Sequence, residues 1–232
     1  MFVGHFGVGF GVKCLAPKTS LGTLVLSAML ADLLLFVFVA MGIEHIAIQP
    51  DIPRVDALDL YDFAWSHSLW TGAVWGALAA GGYWLVRRYK RGAGIVLAAV
   101  LSHWVLDRLS HRPDMALAPG VHRYFGLGLY NSPLGLLVVE GGIWIAGIIV
   151  YIRATRSKAL AGNWTLSIAV VRFTALWLLR FKGVPPPSVR AAVVVELIFL
   201  PLAVGWMYWI DGLREVRQSI AAAAKPTTTG AS

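Results

Sequence analysis

His103 and Asp107 stand four apart in Ser-His-Trp-Val-Leu-Asp, so any helix that contains them presents both on one face. Imidazole and carboxylate are the ligands that Zn²⁺ and related divalent ions take where no thiolate is on offer, and this spacing aims two of them at one ion. Asp32 in Ala-Asp-Leu-Leu-Leu, His67 in Ser-His-Ser and His5 in Gly-His-Phe are further donors set in apolar sequence. An ionisable side chain in such a setting costs on the order of 3 kcal/mol unless it is paired, hydrated or bound to an ion, so each begins as a site hypothesis. His111 continues the His103–Asp107 face by another four residues and is expected to be a ligand or a contact to a substrate phosphate. The competing reading of Asp32, His103 and Asp107 is a buried polar network that ties helices together. Glu140 and Glu196 are candidate supports for these groups or partners for Arg172, while His45 and His122 read as interfacial.

The elements that must position these residues are membrane-crossing helices. With 58% hydrophobic residues, 14% charged and a mean hydropathy of +0.69, the chain has too little polar surface to cover a water-soluble globule. Its apolar residues fall in blocks near the roughly 20 residues that a hydrocarbon core of about 30 Å requires. The expected fold is all-α, a polytopic transmembrane bundle of about six spans: Leu21–Ile43, Ser66–Val86, Ala93–Leu109, Leu134–Ile152, Trp164–Phe181 and Val189–Ile210. A short helix is expected within residues 1–16, where Gly4, Gly7, Gly9 and Gly11 permit close approach to a neighbour. Residues 1–217 form one domain on this reading, and 218–232 a disordered cytoplasmic tail. Cys14 is a lone thiol and reads as a packing residue.

The net charge of +8 does not call for a nucleic-acid partner, because Lys and Arg collect at the ends of the apolar blocks. Twelve bases (Lys13, Lys18, Arg87, Arg88, Lys90, Arg91, Arg153, Arg156, Lys158, Arg214, Arg217, Lys225) would face one side, against seven (Arg54, Arg108, Arg112, Arg123, Arg180, Lys182, Arg190) on the other. The positive-inside rule then places the C-terminus and the Arg87–Arg91 turn in the cytoplasm, with 51–62 and 110–128 outside. His67, His103 and Asp107 fall toward the outer ends of their spans, where one outward-facing site collects them. Membrane lipids are the expected surroundings.

Gly4-His5-Phe6, Ala31-Asp32-Leu33, Ser66-His67-Ser68, Ser102-His103-Trp104-Val105-Leu106-Asp107 and His111-Arg112-Pro113-Asp114 occur in an order that resembles the bacterial membrane-bound metal-dependent hydrolases, the LexA-binding inner-membrane-associated hydrolase family. The motifs cover the first half of the chain; the second half, with Gly126-Leu127-Gly128-Leu129-Tyr130-Asn131-Ser132, looks like the longer branch of that family. The resemblance implies a bacterial inner-membrane location and a divalent-metal site, with His5, Asp32, His67, His103 and Asp107 on its motif positions. Two departures stand out: Ala31-Asp32-Leu33-Leu34 has one carboxylate where relatives have Pro-Asp-x-Asp, and Asp62-Phe63-Ala64-Trp65-Ser66-His67-Ser68 replaces His-Arg-Gly-x-Thr-His-Ser. Asp62 is expected to stand in for the missing histidine.

Together these expectations describe a hydrolase in which a divalent ion, Zn or alternatively Mn, lowers the pKa of a water toward about 7 for attack on an ester. Asp62 or Asp114 would act as general base and Arg112 would hold a phosphate oxygen. The substrate would be a lipid or lipid-linked ester presented at the outer face. An ion or solute transporter and a non-catalytic scaffold with a structural polar cluster are the rival readings, the first weakened by the absence of an evident internal repeat.

Overall fold

A computed structural model describes residues 1–49, 58–182 and 184–217. Asp51, Arg54, Asp56, Lys225 and the tail at 218–232 lie outside the described residues. The order of elements is α1 (Val3–Gly11), α2 (Leu21–Ala28), α3 (Leu30–Ala40), β1 (His45–Ile48), β2 (Leu58–Asp62), α4 (Ala64–His67), α5 (Leu69–Arg87), α6 (Lys90–Ser110), β3 (Met115–Ala116), β4 (Tyr124–Phe125), α7 (Pro133–Ala154), β5 (Thr155–Ser157), α8 (Leu160–Arg180), α9 (Val189–Gly212) and β6 (Arg214–Val216). The described residues are mostly helical, and among them the strands pair as short antiparallel ladders, β1 with β2, β3 with β4 and β5 with β6. None of these ladders was expected from the sequence, because each strand is only two to five residues long and so carries too little pattern.

Among the described residues, four helices, α6, α7, α8 and α9, are long and apolar enough to cross a membrane. The pair α2 and α3 adds a fifth if it counts as one span, but it is bent by 59°. That is fewer than the six spans expected. The stretch expected to be the second, Ser66–Val86, breaks at Ser68, whose extended backbone ends α4 and whose hydroxyl accepts from Thr71 N at the start of α5. The remaining helix, α5, dilutes its apolar residues with Gly72, Gly76, Gly81, Gly82 and Thr71 and is not among the four. It pairs with α6 through a tight turn in which Arg88 takes a left-handed conformation, φ 51°.

The core is built around α1. Val3, Phe6 and Phe10 are fully buried and pack with Trp144 and Tyr151 of α7, Phe173 and Trp177 of α8 and Met207 of α9. A short helix can occupy the centre because its glycines let neighbours approach the backbone itself. A Cβ placed on Gly147 of α7 would fall 2.1 Å from Gly7 O, and one on Gly9 would fall 2.7 Å from Val25 of α2. Glu140 of α7 anchors the other end of α1, accepting from Phe2 N, from Gly4 N at 3.2 Å and from Trp177 Nε1 at 2.8 Å. The N–H groups at a helix start lack partners inside the helix, so this carboxylate satisfies them and meets the positive end of the helix dipole. The outward faces of α7, α8 and α9 remain apolar, with Val138, Ile145, Ile168, Val171, Ile198 and Leu202 exposed.

One end of the bundle gathers the basic turns. Lys13 forms an ion pair with Asp211 at 2.7 Å and donates to Thr19 O, Thr19 meets Tyr83, and Lys18 lies over the Tyr89 ring. The β5–β6 ladder joins Arg156 to Glu215 at this same end. His103 lies 13 residues along α6 from Lys90, about 20 Å of helix, and so belongs to the opposite half of the bundle.

Candidate metal centre

Five side chains from four helices meet at that opposite half: His5 from α1, Asp32 from the first turn of α3, His67 from the last position of α4, and His103 with Asp107 from α6. Asp107 is the hub. Its Oδ1 lies 3.0 Å from His5 Nε2 and also contacts the Met1 amino nitrogen, while its Oδ2 lies 3.1 Å from His103 Nε2 and 3.7 Å from His67 Nε2. Asp32 Oδ1 stands 3.5 Å from His67 Nε2 and 3.6 Å from His103 Nε2. The rings of His5 and His103 stack with centroids 3.8 Å apart. Two overlapping trios, His5 with His103 and Asp107, and Asp32 with His67 and His103, each bring three ligand atoms within 4.8 Å of one another. All five residues are buried except Asp32, which keeps a partly exposed edge.

Local structure explains how these atoms are aimed. His103 and Asp107 share a face of α6 by their four-residue spacing. His103 Nδ1 donates to Ala28 O at 2.7 Å, because a carbonyl can only accept. Ala28 is the last residue of α2, and the bend at Met29 that separates α2 from α3 brings its carbonyl to the ring. With Nδ1 committed, His103 presents only Nε2 to the centre and cannot bridge two ions. The same bend starts α3 afresh and puts Asp32 in its first turn.

The donor set could hold a metal ion, with nitrogen and carboxylate oxygen donors, no thiolate, and outer partners on the ligand rings. His103 Nε2 and His67 Nε2 are 3.2 Å apart. Two nitrogens on a tetrahedral zinc, each at about 2.0–2.1 Å, are separated by about 3.3 Å.

The other candidates lie at increasing distance from this centre. His111, just past the end of α6, places Nε2 3.9 Å from Asp107 Oδ2 and Nδ1 3.2 Å from Asp114 Oδ1. Asp114 also takes Arg112 Nε at 3.0 Å, and the Arg112 guanidinium reaches Asp59 as well, so this arginine is held between two carboxylates. Asp62 pairs with His45 Nδ1 at 2.8 Å on the β1–β2 ladder, and both side chains are about half exposed. It does not join the five, although with His67 and Asp114 it lines a cavity of about 220 Å³. A second cavity, about 70 Å³, has Asp32, His67, Asp107, His111, Arg180 and Glu196 in its wall together with apolar Met29, Leu35 and Phe36. Arg172 lies exposed on α8, and Glu140 serves α1.

Glu44 was not expected near the site. It is fully buried, and it accepts from Ser66 N at 2.8 Å and Ser66 Oγ at 2.7 Å. Burial pushes its carboxyl above the usual carboxylate range, and the Ser66 hydrogen bonds oppose that rise. Nothing in its spacing marks it, because 22 residues and a strand ladder separate it from Ser66. Tyr130, in the wall of the smaller cavity, stands in the Gly126–Ser132 motif, which gave it no role.

A comparison with protein families, with curated proteins and with solved structures found no match to this chain.

Proposed function

We propose that this chain is a membrane-bound metal-dependent hydrolase that cleaves an ester in a lipid or lipid-linked substrate. The observation that carries the reading is that His5, Asp32, His67, His103 and Asp107 gather as two trios sharing His103, beside a cavity with both charged and apolar walls. A purely structural cluster would not need three imidazoles and two carboxylates in one place, because a hydrogen bond between membrane helices is worth only about 0.6 kcal/mol on average.

His67, His103, Asp32 and Asp107 would hold the ion, with His5 as the further donor, and a bound Zn or Mn would supply Lewis acidity and an acidified water. The protein's own part is to orient and to move protons. His111, fixed through Nδ1 by Asp114, directs Nε2 toward the centre and is placed to take the proton released as water adds to the ester. Arg180 lends positive charge to the same cavity, and Arg112 keeps Asp114 in position rather than reaching substrate. Met29, Leu35 and Phe36 give the cavity an apolar wall suited to the first carbons of a lipid chain.

The basic turns at the opposite end of the bundle support a cytoplasmic C-terminus and an outward-facing site in the bacterial inner membrane. On this reading the bent pair α2–α3 is a span and α5 is the sixth, its exposed Val74, Leu78 and Leu85 facing lipid. The motif order that resembles the membrane-bound metal-dependent hydrolases supports the same assignment.

A second reading, an ion transporter, has one observation in its favour. The helix that carries Asp32 is broken next to the site, as transporter helices often are at an ion-binding point. Purified protein in detergent separates the two. Chelation followed by reloading with Zn or Mn should remove and restore hydrolysis of a chromogenic ester in mixed micelles. Stoichiometric metal with no turnover on carboxylic or phosphoric esters, together with ion uptake into liposomes, would replace the hydrolase reading with the transporter.

A further inference from the structure

The hydroxyl of Ser66 has a single proton and stands between two acceptor-rich groups. It donates to Glu44 Oε2 at 2.7 Å, and Phe63 O lies beyond at 3.2 Å. His67 Nδ1 is 2.7 Å from the same oxygen. Since neither a carboxylate nor a carbonyl can give a proton back, the hydroxyl has none left for His67, and His67 Nδ1 must be the donor. In the neutral ring His67 Nε2 is then bare, and it stands 3.2 Å from Nε2 of His103, which is bare too when that ring is neutral, because its one proton is committed through Nδ1 to Ala28 O. Two lone pairs at that distance repel each other unless a cation lies between them.

From this we infer that Glu44 and Ser66 are positioning residues that keep His67 in its Nδ1–H form and thereby reserve the space between His67 and His103 for a metal ion. The assignment rests on the metal-centre reading given above and adds the group that controls its affinity. Without the relay, His67 would be free to carry its proton on Nε2, donate it to His103 and close the centre with an ordinary hydrogen bond. An ion would then have to displace that proton. Both residues sit where they can do this without touching substrate. Glu44 is fully buried behind Ser66, fixed by the Ser66 backbone N–H as well as the hydroxyl, and the break at Ser68 holds His67 at the end of α4.

The test reads the proton itself. Histidine-labelled, metal-free protein in detergent micelles at alkaline pH should show the His67 proton on Nδ1 by long-range proton–nitrogen correlation. Ser66→Ala removes the acceptor, and Glu44→Gln reverses the relay, since an amide whose oxygen takes Ser66 N–H turns its NH₂ toward the hydroxyl. Both variants should move the proton to Nε2 and weaken Zn binding by about 10–100-fold, the usual effect of losing an outer partner. Ser66→Thr retains the hydroxyl and should retain both properties. The inference is overturned if His67 carries no Nδ1 proton in the wild type, or if neither variant moves it. A wild type that shows the expected proton but binds no ion would defeat the metal-centre reading and leave the relay standing, so the two failures are distinguishable.

Discussion

The tight crossing of α1 over α7 makes a demanding prediction, because His5 rides on α1 two residues before the point of contact. In Gly147→Ala the new methyl would begin 2.1 Å from Gly7 O, whereas ordinary contact begins at 3.4 Å, so α1 must retreat by about 1.3 Å. Functional constellations tolerate about 0.5 Å of displacement. The retreat therefore exceeds what the centre can absorb while adding only the roughly 1–3 kcal/mol that overpacking costs. Zn affinity should fall by about 10–100-fold, the size of effect seen when a ligand loses its support, with the helical content unchanged. Gly142→Ala, on the same helix but with no atom within 4 Å of the added methyl, is the matched control and should bind as the wild type does. Equilibrium Zn titration against a competing chelator, with circular dichroism alongside, gives the answer. Wild-type affinity in Gly147→Ala would show that α1 is not held by this crossing or that His5 is not part of the centre.

His103→Ala and Asp107→Ala should each abolish metal-dependent turnover and bind Zn far more weakly, while still inserting in the membrane; a titration indistinguishable from wild type in either would favour the structural network. Zn at about a hundred times its dissociation constant should stabilise the fold by about 2.7 kcal/mol, visible as a thermal midpoint roughly 5–10 °C higher for a chain of this size, and chelation should reverse it. A reporter fused after Arg217 should be active only in its cytoplasmic form, since the positive-inside rule would put twelve of the bases on that side; periplasmic activity would invert the orientation and turn the site inward.

What the sequence made legible follows from cost. His5, Asp32, His67, His103 and Asp107 were visible because each interrupts apolar sequence where an ionisable group is expensive, and such groups persist only with a reason. Glu140 was visible on the same ground, but its task was not, since nothing in one helix says that its carboxylate will receive Phe2 N, Gly4 N and Trp177 Nε1 from two others. Glu44 was hidden in an acidic stretch where a carboxylate costs nothing locally, and only the return of the chain through the β1–β2 ladder carries it to Ser66. Hydropathy located the long helices α6 to α9 and missed the bend at Met29, because no proline or glycine marks it and the sequence is apolar on both sides of it, through Leu24–Leu26 and Leu30–Ala40. It also counted α5 as equal to the others, although its four glycines thin its apolar content. Arg112 and Asp62 were assigned by side-chain chemistry and by their places in the motifs, not by their neighbours in space. Their partners Asp59 and His45 lie on the paired strands, which sequence periodicity did not reveal.

The most direct measurement of the central claim is anomalous scattering from crystals of the metal-loaded protein, collected at the Zn and Mn edges. A peak bounded by His67 Nε2, His103 Nε2, Asp32 and Asp107, with His5 alongside, is the expected result. A map with no peak there, or with its ion at His45 and Asp62 instead, would contradict it.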